Sequence, residues 1–266
     1  MSDVMGLRER FAALHREGTF LMPNVWDTGS ARLLQSLGFD AIATTSSGFA
    51  ATLGRHDQNV SLDELVDHVA ALTAAVDIPV SVDSEDGYAD DTDGLSRTVD
   101  ALAAAGAAGV SIEDYRPDSG LVDVATASMR VGAFVEAANR HGMMVTARAE
   151  NQLYGIDDLD DTIERLRAYA AAGGHVVYAP GLVTVEQLSR VVAATDRPVN
   201  ALLVPMGPTV AELKEMGIRR ISTGGALAFA AYGAAARAAR ELQTDGTQTY
   251  ATGALSSEDR ERAFGT

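Results

Sequence analysis

Eight short β-rich runs alternate with longer Ala- and Leu-rich stretches along the whole chain, and no other feature limits the fold as sharply. The runs are 20–26 (FLMPNVW), 41–46 (AIATTS), 79–85 (PVSVDSE), 109–114 (GVSIED), 144–150 (MVTARAE), 175–181 (HVVYAPG), 198–204 (PVNALLV) and 219–225 (RRISTGG). Helical patterning fills the intervals, as at 62–75, 94–105, 125–141 and 159–172. Gly38, Gly106, Gly142, Gly173 and Gly217 stand before strands, where a helix ends on a left-handed residue. Strand–helix alternation implies a parallel sheet with right-handed crossovers. Eight such units predict an α/β fold of the (β/α)8 TIM-barrel type in a single domain. A doubly wound open sheet is the competing architecture, but no strand is followed by GxGxxG. Residues 3–17 read as an extra helix before the first strand and 226–242 as a long Ala-rich helix after the last. The barrel domain therefore spans 1–242, and 243–266 is a polar C-terminal tail.

A chain of 266 residues, 47% hydrophobic and 22% charged, has the composition of a packed domain rather than a disordered one. Its net charge of −16 argues against nucleic-acid or anionic-membrane partners, because no excess of cations exists to neutralise phosphates. An anionic substrate remains open, since one arginine or a bound cation can reverse the sign inside a pocket. There is no cysteine, which removes thiolate metal sites, disulfides and cysteine nucleophiles. The only lysine, Lys214, lies in the helical run AELKEMG, so a Schiff-base lysine on a barrel strand is excluded. The N-terminus lacks the apolar core of a signal peptide, and no apolar run is long enough to span a bilayer. A soluble cytoplasmic protein is expected.

In such a barrel the chemistry gathers at the C-terminal ends of the strands. Asp83 and Glu85 are two apart on a predicted strand, which places them on one face, and Glu113 stands level with them on the next strand. Three carboxylates converging with little water raise one another's pKa or recruit a cation. Oxygen-only donors select a hard one, Mg2+ or Mn2+, and Mg2+ usually keeps several waters. Asp86, Asp90, Asp91, Asp93 and Asp114 read instead as helix caps. Arg148, between apolar neighbours, needs an anion: a substrate carboxylate gripped bidentately, or Glu113 or Glu150. Ser46, Ser47 and Gly48 offer hydroxyls and N–H groups to a carboxylate, and Asn200 a side-chain hydrogen bond. His56 and Asp57 lie in the loop after the second strand, near the mouth. Tyr88 and Tyr178 are weaker candidates. His175 begins a strand, at the wrong end for catalysis, and reads as structural. The STGGA segment after the last strand suits a phosphate at a helix N-terminus, but the preceding VPMGP lacks the matching Gly-rich half.

Taken in order, LMPNVWDTGSARLLQSLGFDAI, TTSSGFAATLGRHD, SVDSEDGYAD, AAGVSIED, VTARAE, VYAPGL and VNALLVPMGPTVAELKEMGIRRISTGGAL resemble the isocitrate lyase/phosphoenolpyruvate mutase superfamily across residues 6–242. The resemblance implies a Mg2+ site at Asp57, Asp83, Glu85 and Glu113, partly through water. It implies carboxylate binding by Ser46, Ser47 and Gly48, and substrate contact by Arg148. It implies bond cleavage beside a small 2-oxo or 2-hydroxy (di)carboxylic acid through an enolate intermediate, with Arg148, Glu113 and Asp57 as catalytic residues; Asn200 and His56 are further candidate substrate contacts by their own positions, not by the resemblance. It also implies a homo-oligomer, dimer or tetramer, with the helix at 226–242 exchanged between neighbours. Two family devices are absent. The loop after the fourth strand, EDYRPDSGLVD, has no proton-donating cysteine, which argues against isocitrate or methylisocitrate cleavage. It also lacks the Lys- and Asn-containing gating loop of the mutases. Glu85 stands where many members have Asp. The expected function is a Mg2+-dependent C–C lyase or decarboxylase. The alternatives are a phosphonopyruvate-type P–C hydrolase or mutase, and a non-catalytic ligand-binding relative.

Overall fold

A computed structural model describes residues 3–265. All eight predicted runs carry parallel strands: β1 (Phe20–Met22) and β2 (Asn24–Val25), then β3 (Ile42–Thr44), β4 (Val80–Val82), β5 (Gly109–Glu113), β8 (Met144–Arg148), β9 (Val176–Tyr178), β10 (Val199–Leu202) and β11 (Arg220–Ser222). The ladder order is β1-β11-β10-β9-β8-β5-β4-β3-β2. Its two outer members are consecutive in the chain and separated only by Pro23. Proline has no N–H to give a ladder, so the first run splits, β1 pairing with β11 and β2 with β3. The sheet thereby closes on itself as a TIM-type barrel.

The loop after β5, which sequence reading leaves irregular, forms a small antiparallel hairpin of β6 (Tyr115–Arg116) and β7 (Gly120–Leu121). Helices α1 (Val4–Leu14), α2 (Thr28–Ser36), α3 (Ser46–Thr52), α4 (Leu62–Ala75), α5 (Thr92–Ala104), α6 (Val124–Arg140), α7 (Leu159–Ala171), α8 (Val185–Ala194), α9 (Val210–Glu215) and α10 (Ala226–Thr244) follow. Most begin on a side-chain cap, as at Asp27, Ser61, Asp91, Asp123, Asp158, Thr184 and Thr209, which satisfies N–H groups that the helix cannot pair internally.

Strand alternation explains where the core and the cavity lie. Val80, Val82, Val110, Ile112, Val145, Ala147, Val177, Val199, Ala201 and Ile221 are buried, most of them in one apolar cluster with the helices. The residues between them, Ser81, Ser111, Thr146, Asn200, Arg220 and Ser222, line a cavity instead. A barrel of this kind normally fills its interior with branched apolar side chains; here that interior is polar and small-residue, so it stays partly hollow. The opposite end is plugged by α1. Its Phe11 packs edge-on against His15 and Phe20 and sits so close to Gly109 that a Cβ there would lie 2.6 Å from its ring. Arg8 donates from Nε to the Ala107 carbonyl, from Nη2 to Ala103 and from Nη1 to His141, sealing the floor.

The polar tail carries regular structure among its described residues. A 3-10 turn (Thr249–Gly253) leads into α11 (Ser257–Phe264), which packs on α2 of the same chain. In α10 only Ala228 is buried, while Phe229 and Tyr232 stand exposed. No helix among the described residues is long and apolar enough to cross a membrane.

Candidate active site

A cavity of about 310 Å³ opens at the C-terminal ends of the strands and runs into the barrel. Its wall includes Ser46, Ser47, Asp57, Asp83, Arg148 and Asn200, six residues that the sequence nominated.

Arg148 ends β8, paired in register with Glu113 on one side and Tyr178 on the other. Its guanidinium is held on three sides by carboxylates. Nη1 lies 2.7 Å from Asp83 Oδ1, Nη2 3.2 Å from Glu113 Oε2, and Nε 2.8 Å from Glu150 Oε1. The ring of Tyr178 faces it at 5.6 Å, a cation–π contact. The ion-pair reading of Arg148 is realised with Glu113 and Glu150, and the same side chain lines the cavity.

Asp83 follows the last residue of β4. It accepts from Ser111 Oγ at 3.3 Å and from the Ser46 N–H at 3.4 Å, while its own N–H donates to Thr44 Oγ1. The expectation that Asp83 and Glu85 share a strand face is corrected. The strand ends at Val82, and the chain turns through Ser84–Gly87. Glu85 and Tyr88 adopt left-handed backbone conformations, φ +45° and +56°, uncommon for residues with a Cβ. Such local strain is often stored at functional sites. The turn buries the Glu85 side chain, and its Oε1 has no hydrogen-bond partner.

The acids respond electrostatically. Burial raises the Glu85 carboxyl to about 8, with Asp83 and Asp57 adding to it. Burial also pushes Glu113 well up, although Arg148 opposes it. Asp57 is raised, first by loss of water and then by Asp83, against a hydrogen bond from Ser46. Raised proton affinity in three neighbouring acids is the condition that a cation relieves. Among the described residues no three acids or imidazoles converge closely enough to ligate one ion directly. The donor chemistry nevertheless fits a hard divalent cation: the groups are all carboxylates, one has an orphaned buried oxygen, and Mg2+ is commonly held by one or two carboxylates with water completing its shell.

The Glu85 shift gives a pH prediction. A carboxyl that holds its proton more tightly when folded than at its ordinary 4.5 stabilises the fold fully below that value and loses this contribution as pH rises through about 8. In a metal chelator the melting temperature should therefore carry a falling component between pH 4.5 and 8 that Glu85→Gln removes. Parallel curves for the two proteins would contradict the burial of an unpaired Glu85.

Other nominated residues divide. Ser46 and Ser47 open α3, and Ser47 Oγ lies 3.2 Å from Thr45 Oγ1. Gly48 does not line the cavity; it is a packing residue, since a Cβ there would meet Thr45, Trp26 and Ala228 at 2.5–3.2 Å. His56 is exposed and lies outside the cavity wall, because its loop turns it to the surface. His175 accepts the Val145 N–H on Nδ1, as a structural histidine does. Of the acids read as helix caps, Asp91 caps α5. Asp86 instead pairs with Arg116, and Asp114 is buried against Arg165 and Tyr169 and accepts the Glu150 N–H. The N–H groups of Thr223 and Gly224, needed for a phosphate cradle, are already taken by Asn24 Oδ1 at 2.9 and 2.8 Å.

Sequence reading missed Gln58, Tyr154 and Arg220. Gln58 Nε2 donates to Glu113 Oε1 at 3.3 Å and to the Tyr154 hydroxyl at 3.2 Å, and Tyr154 stacks on Tyr115 at 3.5 Å. These lie in loops whose composition carries no signal. Arg220 did carry one: its run, Arg-Ile-Ser, alternates in phase with Ser-Ile-Glu on β5 and Thr-Ala-Arg on β8.

Residues 11–243 match the family model described as phosphoenolpyruvate phosphomutase. The chain is 36% identical over 240 residues to an uncharacterised protein of Mycobacterium tuberculosis, covering 90% of each. It is 33% identical over 185 residues to the oxaloacetate decarboxylase of Rhodopseudomonas palustris, covering 66% of this chain and 63% of that one. A crystal structure of a Burkholderia cenocepacia protein described only as a lyase/mutase superposes with a TM-score of 0.94 at 43% identity, covering 100% of this chain and 98% of the other.

Proposed function

The chain belongs to the isocitrate lyase/phosphoenolpyruvate mutase superfamily of lyases and mutases, and from that premise we propose that it is a Mg2+-dependent lyase acting on a small 2-oxo or 2-hydroxy dicarboxylic acid, breaking the C–C bond whose electron pair passes into the enolate of a 2-oxo acid. Loss of CO₂ from an oxaloacetate-like acid is the simplest case, because it needs no cysteine acid. The observation that carries this reading is Arg148, which shares the cavity wall with Asp57 and Asp83 and is ion-paired to Asp83 and to Glu113 behind it, in a wall that contains no lysine and no histidine. A Schiff-base route has no amine there to perform it, and the serines of the wall have no histidine or lysine beside them to act as their base.

Asp57, Asp83, Glu85 and Glu113 would hold Mg2+, or Mn2+, partly through water. When bound, the cation supplies Lewis acidity that draws electron density from the reacting keto acid. Ser46 and Ser47 bind and orient the carboxylate with hydroxyl and N–H groups. Arg148 meets the negative charge that develops on the 2-oxo oxygen, and it does so without reorganising, because three carboxylates and the Tyr178 ring fix its plane. Gln58 and Tyr154 cover Glu113 at the mouth and limit water there. The exposed Phe229 and Tyr232 on α10 support a homo-oligomer in which a neighbouring subunit covers that face.

P–C cleavage of a phosphonate is the second reading, favoured by the description of the family model. Asn24 weighs against it by occupying the N–H groups of the last strand's loop. A screen of oxaloacetate, substituted malates, isocitrate-like acids and phosphonopyruvate, with Mg2+ and with chelator, tests the choice. Pyruvate and CO₂ released only with Mg2+ is the expected result. Phosphate release would select the second reading, and indifference to Mg2+ with no turnover would leave a ligand-binding relative.

A further inference from the structure

Arg220 is a second arginine in the same cavity, and its circumstances differ from those of every other buried arginine described. It is 3% exposed. Nε donates to Asn200 Oδ1 at 2.8 Å and Nη2 to Thr146 Oγ1 at 2.8 Å; both partners are neutral. Nη1 is buried and has no partner. Arg8 and Arg130, by contrast, spend their N–H groups on backbone carbonyls, and Arg165 on Asp114 and Asp161. A buried guanidinium without a counter-charge is costly. Burial draws Arg220 down to about 9, with Tyr178 opposing the shift and Arg148 adding to it.

Register fixes its position. Arg148, Tyr178, Asn200 and Arg220 form one continuous row across β8, β9, β10 and β11. Arg220 reaches Thr146, two residues inside Arg148 on the same strand, so it lies deeper in the barrel. Asn200 is locked between the two neighbours it serves, accepting from Arg220 and donating from Nδ2 to Ser222 Oγ. The upper part of the cavity has the opposite electrostatics. Arg148 is surrounded by three carboxylates, leaving that end a poor receptor for a further anion unless a cation is added.

We propose that Arg220, braced by Asn200 and Thr146, is the receptor for a carboxylate at the inner end of the cavity, so that the ligand is a small dianion with one charged group at the mouth and the other at Arg220. This deepens the lyase reading and rests on it for the identity of the mouth group. It selects dicarboxylates over monocarboxylates of the same length.

Calorimetric binding of malonate and of pyruvate to the full chain, with Mg2+ present, separates the ideas. Malonate has no 2-oxo group, so its binding does not depend on the lyase reading. Arg220→Met should weaken malonate by about 10²-fold, the scale of losing a buried charge-assisted fork, and change pyruvate less than threefold. Arg220→Lys keeps the charge without the fork and should weaken malonate by about tenfold. It decides the matter if circular dichroism shows the methionine variant unfolded. Unchanged malonate binding in a folded variant, equal loss of malonate and pyruvate, or no malonate binding by the unaltered protein would each overturn the assignment. An Arg220-dependent malonate site in a protein that neither binds nor turns over any 2-oxo acid would instead remove the lyase reading and leave the receptor.

Discussion

Exchanging Arg148 for methionine is expected to lower kcat/KM for the preferred 2-oxo acid by about 10³-fold, with most of the loss in kcat. Methionine fills much of the same volume, so the barrel wall survives; what disappears is a guanidinium fixed by Asp83, Glu113 and Glu150. A donor already in place acts on charge only as it develops, which is why kcat rather than KM should carry the effect. Lysine will not restore it, since a single ammonium cannot face three carboxylates in one plane. The variant also leaves those three acids without their cation. Glu113, whose carboxyl burial already pushes upward, should then hold its proton to still higher pH. A rise in KM at constant kcat would reassign Arg148 to ground-state holding of the substrate.

The barrel was legible because its signal is repeated eight times and each repeat is local. Strand starts were placed well, while strand ends were overrun: 79–85 reads as one β-rich run, yet the ladder stops at Val82 and residues 175–181 pair only from Val176 to Tyr178. At the C-terminal mouth the neighbouring strands diverge into loops, so β propensity continues where no partner remains to pair with. Pro23 was visible in the sequence as a missing donor, but its consequence, that one run supplies both closing edges of the sheet, is a property of the whole barrel. The order of the tail is not legible in its composition. Its polar residues form α11, which needs to bury little beyond Ala263 to dock on α2.

Legibility of the site followed the same division. Asp83, Glu113 and Arg148 were found because each is a charge at the end of an apolar run, and such a charge demands a partner. Glu85 was found for a geometric reason that does not hold: alternation ended with the strand, and a left-handed turn buries its side chain. His56 has the chemistry of a site residue but sits in a loop, where no periodicity reports direction. Arg220 was passed over beside Arg219 at the start of a run, a position that usually faces solvent. Phase told them apart, since only Arg220 alternates with Ile221 in step with the polar, inward-facing positions of the other strands.

Asp83→Ala should abolish Mg2+-dependent turnover, a loss of at least about 10³-fold, in a protein that still folds. Asp83 is where the three parts of the site meet: it accepts from Arg148, from Ser111 and from the N–H of Ser46. Its removal withdraws a carboxylate from the metal donor set and frees Nη1 of Arg148. It also releases the first turn of α3, which presents Ser46 and Ser47 to the substrate. The fold should tolerate the change, because the anchoring bond from the Asp83 N–H to Thr44 Oγ1 uses backbone and remains. Asp83→Asn is the sharper comparison. The amide keeps the shape and some of the hydrogen bonds but not the charge, so it should match alanine in lost Mg2+ affinity while sparing the melting temperature. Affinity for Mn2+, read by electron paramagnetic resonance, measures the donor set without any turnover, and Mn2+ bound as tightly by either variant as by the unaltered protein would place the cation elsewhere.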